Sequence, residues 1–318
     1  MSRIHEALKK AEKERAEGVA TIGSEIPLSI DPNISSLTRE EGSVQKDTLP
    51  NANSRAEMDA RTHGYLRFTD LRDRCQHPVW EPNAALNVFD PACSNPHGAE
   101  QFRTLRSRLY QLRSAQPLKK ILVTSAVPME GKTFVAQNLA RAIVRQPDQR
   151  ALIIDADLRL PRMHVALGAP LAPGLSEYLR READEVGVVQ YGTESNLCFI
   201  PGGKEIDDAS ELLSNGRLKM LLERLAPIFE WIIIDSPPCL PVADANIIAN
   251  QCDGVLLIVR AGFTPAETAL RARQELQSHP LLGVVLNAVR NERKYGFYNS
   301  PYHNYGNYTS KAKGGIAD

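Results

Sequence analysis

Ile121-Leu122-Val123-Thr124, then Ser125-Ala126-Val127-Pro128-Met129-Glu130-Gly131-Lys132-Thr133, running on into a helical pattern over 132–145, is the stretch that decides the fold. A short apolar run passes through a turn reading A-x-x-x-x-G-K-T into a helix, which is the context a phosphate-binding loop requires. In such a loop the backbone N–H groups and the helix amino terminus surround phosphate oxygens. Lys132 supplies positive charge near the β and γ phosphates, and Thr133 offers its hydroxyl to Mg²⁺. The expected nucleotide-binding residues are Pro128, Met129, Glu130, Gly131, Lys132, Thr133 and Phe134. Two positions depart from the usual pattern: Ala126 stands where the first glycine belongs, and Met129 fills a slot where small residues are commoner. A side chain at 129 disfavours positive φ and threatens to crowd the ligand, so weaker nucleotide affinity is one expectation.

A G-K-T triplet by itself means little, since an ordinary strand-to-helix turn reads similarly. Acidic residues downstream decide the matter. The second strand, Ala151 to Ile154, ends in Asp155-Ala156-Asp157-Leu158-Arg159, which places two carboxylates where open parallel sheets bind ligands. A third, Asp235, ends Trp231-Ile232-Ile233-Ile234 in the form of a Walker B strand. One Asp after a strand is usually a turn former or a cap. Three in register with a lysine-bearing loop fit phosphoryl chemistry, which needs negative charge neutralised and an acceptor hydroxyl oriented. The candidate residues for Mg²⁺ and general-base work are Lys132, Asp155, Asp157 and Asp235.

Outward from this centre the chain alternates strand and helix. Further strands are expected at Leu197 to Ile200, Val255 to Val259 and Gly283 to Leu286, and helices at 97–114, 174–181, 215–227, 243–250 and 265–278. That is the βαβ pattern of an α/β fold, a P-loop NTPase-like, mostly parallel sheet with helices on both faces. Residues 1–17 carry Ile4, Ala7, Leu8 and Ala11 at helical spacing and predict a short amphipathic helix. Residues 18–87 are polar and irregular, a largely disordered linker in which Trp80 reads as the anchor where linker meets domain. The folded domain is expected over 88–290 and a tail over 291–318.

Composition narrows the classes. Lys+Arg and Asp+Glu both number 38, so no global field draws the chain to nucleic acid or to an anionic membrane. No apolar run reaches the roughly 18 residues needed to cross a bilayer. Cys75, Cys93, Cys198, Cys239 and Cys252 are odd in number and form no C-x-x-C pair, which predicts buried thiols in a reducing cytoplasm. The seven histidines show no metal-ligand spacing.

Tyr295, Tyr298, Tyr302, Tyr305 and Tyr308 crowd the end of the chain, five of its nine tyrosines. Gly296, Pro301 and Gly306 break any helical stripe, so a flexible segment offering hydroxyls is favoured over packed aromatics. Its basic residues, Arg290, Arg293, Lys294, Lys311 and Lys313, would ease approach to nucleotide phosphates.

Taken together, Glu100-Gln101-Phe102-Arg103-Thr104-Leu105-Arg106, Pro128 to Thr133, Asp155 to Pro161, Pro173-Gly174-Leu175, Ile234 to Pro238, Asp244-Ala245, Asp253-Gly254-Val255 and the tyrosine tail resemble the bacterial tyrosine kinases (BY-kinases) of capsule and exopolysaccharide systems. The opening Met1 to Ala11 resembles the cytoplasmic subgroup encoded with exosortase-type polysaccharide loci. The resemblance implies an ATP- and Mg²⁺-dependent tyrosine autokinase that phosphorylates the tail of a neighbouring subunit and regulates exopolysaccharide biosynthesis and export. It implies Lys132 on the phosphates, Thr133 with Asp157 and Asp235 serving Mg²⁺ directly or through water, and Asp155 activating the tyrosine hydroxyl, with the roles of Asp155 and Asp157 open to exchange. It implies a ring-shaped homo-oligomer to which Glu100, Arg103 and Arg106 contribute. The partners it implies are a membrane activator of the chain-length-determinant type and a cognate tyrosine phosphatase, with no nucleic acid. The expected location is cytoplasmic, at the inner membrane only through that partner. Two other readings stand beside it: a catalytically weak nucleotide-binding scaffold of a polysaccharide export complex, and a deviant-Walker partition ATPase, whose signature lysine would fall at Val127.

Overall fold

A computed structural model describes residues 67–92, 96–192, 194 and 196–289. Its strands are β1 (Lys120–Ser125), β2 (Ala151–Asp155), β3 (Gln190–Tyr191), β4 (Leu197–Ile200), β5 (Trp231–Asp235), β6 (Gly254–Arg260) and β7 (Leu281–Asn287). They form one sheet in the order β3-β4-β2-β5-β1-β6-β7, parallel throughout except for the short β3, which runs antiparallel to β4. The expected α/β class and all the expected strands are present.

The apolar runs are continuous because both faces of the sheet are covered. On one face Ile121, Val123, Ile153, Trp231 and Ile233 pack with α2 (Pro96–Ala115) and α3 (Lys132–Val144). On the other, Leu122, Leu152, Ile154, Ile232 and Ile234 pack with α5 (Leu175–Leu179), α6 (Ala209–Ser214), α7 (Arg217–Leu225) and α8 (Asp244–Ala249). α7 shows why such a sequence is helical here: Leu218, Leu221, Leu222 and Leu225, at helical spacing, are its buried residues. Each such side chain taken from water contributes roughly 1.5–3 kcal/mol. Two further helices are α4 (Met163–Leu167) and α9 (Ala266–Glu275).

The expected linker boundary needs correction. Residues 67–87 are part of the folded unit: α1 (Phe68–Arg74) buries Leu71 completely, and Gln76 bridges to Gln190 beside the sheet. Phe68 meets Phe229 edge-on at 5.9 Å, and Trp80 meets Phe199 at 6.0 Å. A 3₁₀ turn (Ala84–Leu86) then presents the Leu86 carbonyl to the side chains of Gln137 and Asn138 on α3. The polar composition concealed a few large apolar anchors. The expected helix at 1–17, the linker to 66, and the tail with its five tyrosines lie outside the described residues, as does Cys93.

Topology now places the chemistry. β1 lies between β5 and β6, and β5 lies between β2 and β1, so the carboxyl ends of β2, β5 and β1 are adjacent. Asp155 stands opposite Asp235 in register, and Asp235 stands opposite Val123, two residues before the loop.

Candidate active site

The turn between β1 and α3 is shaped by two left-handed residues. Gly131 has φ +92°, and a Cβ there would lie 2.1 Å from the Asn287 carboxamide nitrogen, so only glycine fits. Met129 has φ 67°, a conformation costing a non-glycine residue roughly 1–2 kcal/mol. Met129 is 77% exposed, so its side chain is not packed into the fold.

Lys132 and Thr133 open α3 and face the strand ends. The Lys132 ammonium lies 2.9 Å from Asp157 Oδ2, and the Thr133 hydroxyl donates to Asp235 Oδ2 at 2.6 Å. Asp155 is fully buried; its Oδ2 accepts the amides of Arg162 and Met163 at 3.1 and 3.0 Å, and its Oδ1 the amide of Asp157 at 3.2 Å. Lys132, Thr133, Asp155, Asp157 and Asp235 are thus gathered at one point. Two other members of the expected nucleotide set direct their side chains elsewhere. Phe134 packs edge-on against Phe102 of α2 at 5.9 Å, and the Glu130 carboxylate is buried and accepts from Val127 N at 2.7 Å.

The cluster holds three carboxylates and one ammonium. Burial first, and Asp235 second, pushes the Asp155 carboxyl up to about 8. Burial likewise raises Asp235, to about 6, against the pull of Lys132. Burial works against the Lys132 ammonium, but Asp235 and Asp157 outweigh it and hold the group above its usual range. Such an excess of negative charge suits a dication. Asp235 Oδ1 is buried with no hydrogen-bond partner among the described residues, the kind of orphaned acceptor that a cation would satisfy. Among the described residues no three acidic, imidazole or thiol groups could hold a metal ion together.

Two motifs noticed separately in the sequence prove to be joined. Arg159, just past Asp157, makes a two-pronged ion pair with buried Asp244 at 2.7 and 3.2 Å, and Ser210 also donates to Asp244. This fastens the loop carrying Asp157 to α6 and α8. On α2, Glu100 and Arg103 form an exposed pair at 3.0 Å. Arg106 instead donates at 2.5 Å to the Ala142 carbonyl near the end of α3, an intrachain role that the E-x-x-R-x-x-R spacing alone did not reveal.

A parallel sheet with a glycine-lysine-threonine loop and carboxylates on the adjoining strand ends defines a P-loop nucleotide-binding protein. No protein-family model matches the chain. It is 34% identical over 204 residues to the tyrosine-protein kinase YwqD of Bacillus subtilis, covering 63% of this chain and 86% of that protein. It is 33% identical over 234 residues to the tyrosine-protein kinase Etk of Escherichia coli, covering 73% of this chain but 31% of Etk. The succinoglycan biosynthesis transport protein ExoP of Rhizobium meliloti matches at 31% over 223 residues, covering 66% of this chain and 28% of ExoP. The solved kinase domain of Etk superposes with a TM-score of 0.62 at 28% identity, covering 76% of this chain and 96% of that domain. The chain belongs to the bacterial tyrosine-protein kinases.

Proposed function

We propose that this chain binds MgATP at the loop 128–134 and transfers the γ-phosphoryl group to tyrosines of the cluster Tyr295 to Tyr308 on a neighbouring copy. The observation that supports this reading is the convergence of Lys132 on Asp157 and of Thr133 on Asp235, ion pair and hydrogen bond, beneath a glycine-bent turn. Thr133 and Asp235, with its spare oxygen, are the residues to hold Mg²⁺, which would neutralise charge on the transferring phosphate. Lys132, now paired with Asp157, would turn to the phosphates.

Of the two acids at the end of β2, Asp155 has both oxygens on backbone amides, three in all, whereas Asp157 has one oxygen on the Leu160 amide and the other on the Lys132 ammonium, which would leave it for a phosphate. The exchanged assignment therefore fits better: Asp157 receives the phenolic proton, and Asp155 fixes the loop and supplies field behind the metal. In this reading the exposed pair Glu100 and Arg103 is available for contact between copies. The similarity to the succinoglycan biosynthesis transport protein ExoP supports a role in exopolysaccharide synthesis and export. The partners that go with this reading are a membrane chain-length-determinant protein as activator and a tyrosine phosphatase to reset the tail. Among the described residues no helix is long and apolar enough to cross a membrane.

Incubation with MgATP followed by phosphosite mapping tests the reading. Wild type should carry phosphotyrosine within 295–308, Lys132→Met should carry none, and a chain ending at Arg293 should lose most of it. Labelling that survives both changes would refute the site. Nucleotide hydrolysis without phosphotyrosine would favour the partition-ATPase alternative.

A further inference from the structure

The phosphate loop is tied to the neighbouring strands by a set of contacts the phosphoryl chemistry does not require. Glu130 is 1% exposed, at a point of the chain where a negative charge would oppose a phosphate ligand. Both of its oxygens are turned away. Oε2 accepts Val127 N at 2.7 Å, and Oε1 accepts the Thr264 hydroxyl and, at 3.3 Å, the Arg260 amide. Two further bonds reach the same turn. The Arg260 guanidinium donates to Met129 O at 3.1 Å, and Asn287 Nδ2 donates to Glu130 O at 2.8 Å. Between the first and last of these tie points sits Met129, held in the left-handed region that a methionine avoids when free.

We propose that Glu130 is a positioning residue whose buried carboxylate, clamped by Val127, Arg260 and Thr264, holds the phosphate loop in its ligand-receiving shape across the strained Met129. The proposal rests on the reading of this loop as a nucleotide site. Glu130 contributes an acceptor pair, not a ligand group. All three of its partners donate to it, and a carboxamide of the same size offers one acceptor oxygen: with that oxygen on Val127 N, its NH₂ could donate to the Thr264 hydroxyl, which would have to turn round, but would oppose the Arg260 amide. A role in simple space filling would be kept by glutamine, and the clamp would not.

The test measures the affinity of the full chain for mant-ADP with Mg²⁺ by fluorescence, alongside the thermal midpoint. Glu130→Gln should weaken binding on the order of tenfold with little change in midpoint. Thr264→Val should weaken it in the same direction, and Thr264→Ser should restore it. Because one hydrogen bond is shared, the double variant Glu130→Gln with Thr264→Val should be no weaker than Glu130→Gln alone. Met129→Gly, which removes the strain the clamp resists, should recover part of the loss in the Glu130→Gln background. Unchanged affinity in Glu130→Gln, strictly additive losses, or a loss matched by a fallen midpoint would overturn the clamp while wild-type binding stood. A wild-type chain that bound no mant-ADP would overturn the functional reading and the clamp together.

Discussion

Asp235 shows at the scale of one residue what an active site costs its fold. It is buried, one oxygen is satisfied by Thr133, and the other has no partner among the described residues. Without a cation, this acid and Asp155 opposite it must both give up water to ionise. Their folded-state values are raised, to about 6 and about 8, by burial above all. A carboxyl raised on folding contributes stability that is present below its unfolded value of 3.8 and is lost as the pH climbs through its folded value. The raised Lys132 does not counter this, because its contribution is constant well below 10.5. The nucleotide-free protein should therefore lose stability as the pH rises from about 4 toward 8, first through Asp235 and over the wider range through Asp155. Asp235→Asn should lessen that slope, leaving the part that burial of Asp155 sets, and raise stability at pH 8 while abolishing kinase activity. Urea denaturation across the pH range checks this, and a wild-type slope that is flat or rises with pH would contradict it.

The residues of this centre were legible in the sequence because each ends or directly follows a short apolar strand or opens the helix after one, and a parallel sheet delivers such ends to one edge. Their division of labour was not. Whether Asp155 or Asp157 meets the substrate depends on amides donated by Arg162 and Met163, seven and eight residues further on, in a loop with no repeating pattern. The role of Glu130 was hidden for the same reason, since Arg260 and Thr264 lie more than a hundred residues away.

At the scale of elements, the central helices and strands were readable within a few residues, and the misses were the short ones. α1 has one buried residue, Leu71, and so no apolar period to detect. β3 is two residues long and exists because it pairs with β4. The consequence is a boundary error with a measurable effect. A chain beginning at Arg67 keeps Leu71 and Trp80 in place, whereas one beginning at Val88 uncovers Phe199 and Phe229. The first truncation should unfold at the same urea concentration as the full chain, and the second well below it. Trp80→Ala alone should cost about 3–5 kcal/mol, the usual toll of deleting a large buried aromatic. Equal stability of the two truncations would return residues 67–87 to the linker.

At the scale of the whole molecule, the last strand ends beside the phosphate loop. β7 ends at Asn287, whose side chain is bonded to the loop carbonyl of Glu130, and Tyr295 follows eight residues later. Eight residues span at most about 28 Å and twenty-one, to Tyr308, about 70 Å. Contour length thus permits a tail to reach its own site or that of an adjoining copy, and the geometry of assembly must choose between them. Added phosphates, each bringing about −1.5 to −2 charge, would reverse the basic sign of the tail and disfavour its return to an acidic site.

Transfer between copies is the claim on which the account turns, and a mixing experiment reads it directly. Full-length Lys132→Met, which keeps its tyrosines but lacks the phosphate-binding ammonium, is incubated with MgATP alone and then with an active chain ending at Arg293. Phosphotyrosine should appear on the Lys132→Met chain at residues 295–308 in the mixture and not in the separate incubations. A Lys132→Met chain that stays unlabelled beside an active partner, or that labels itself without one, would contradict the account.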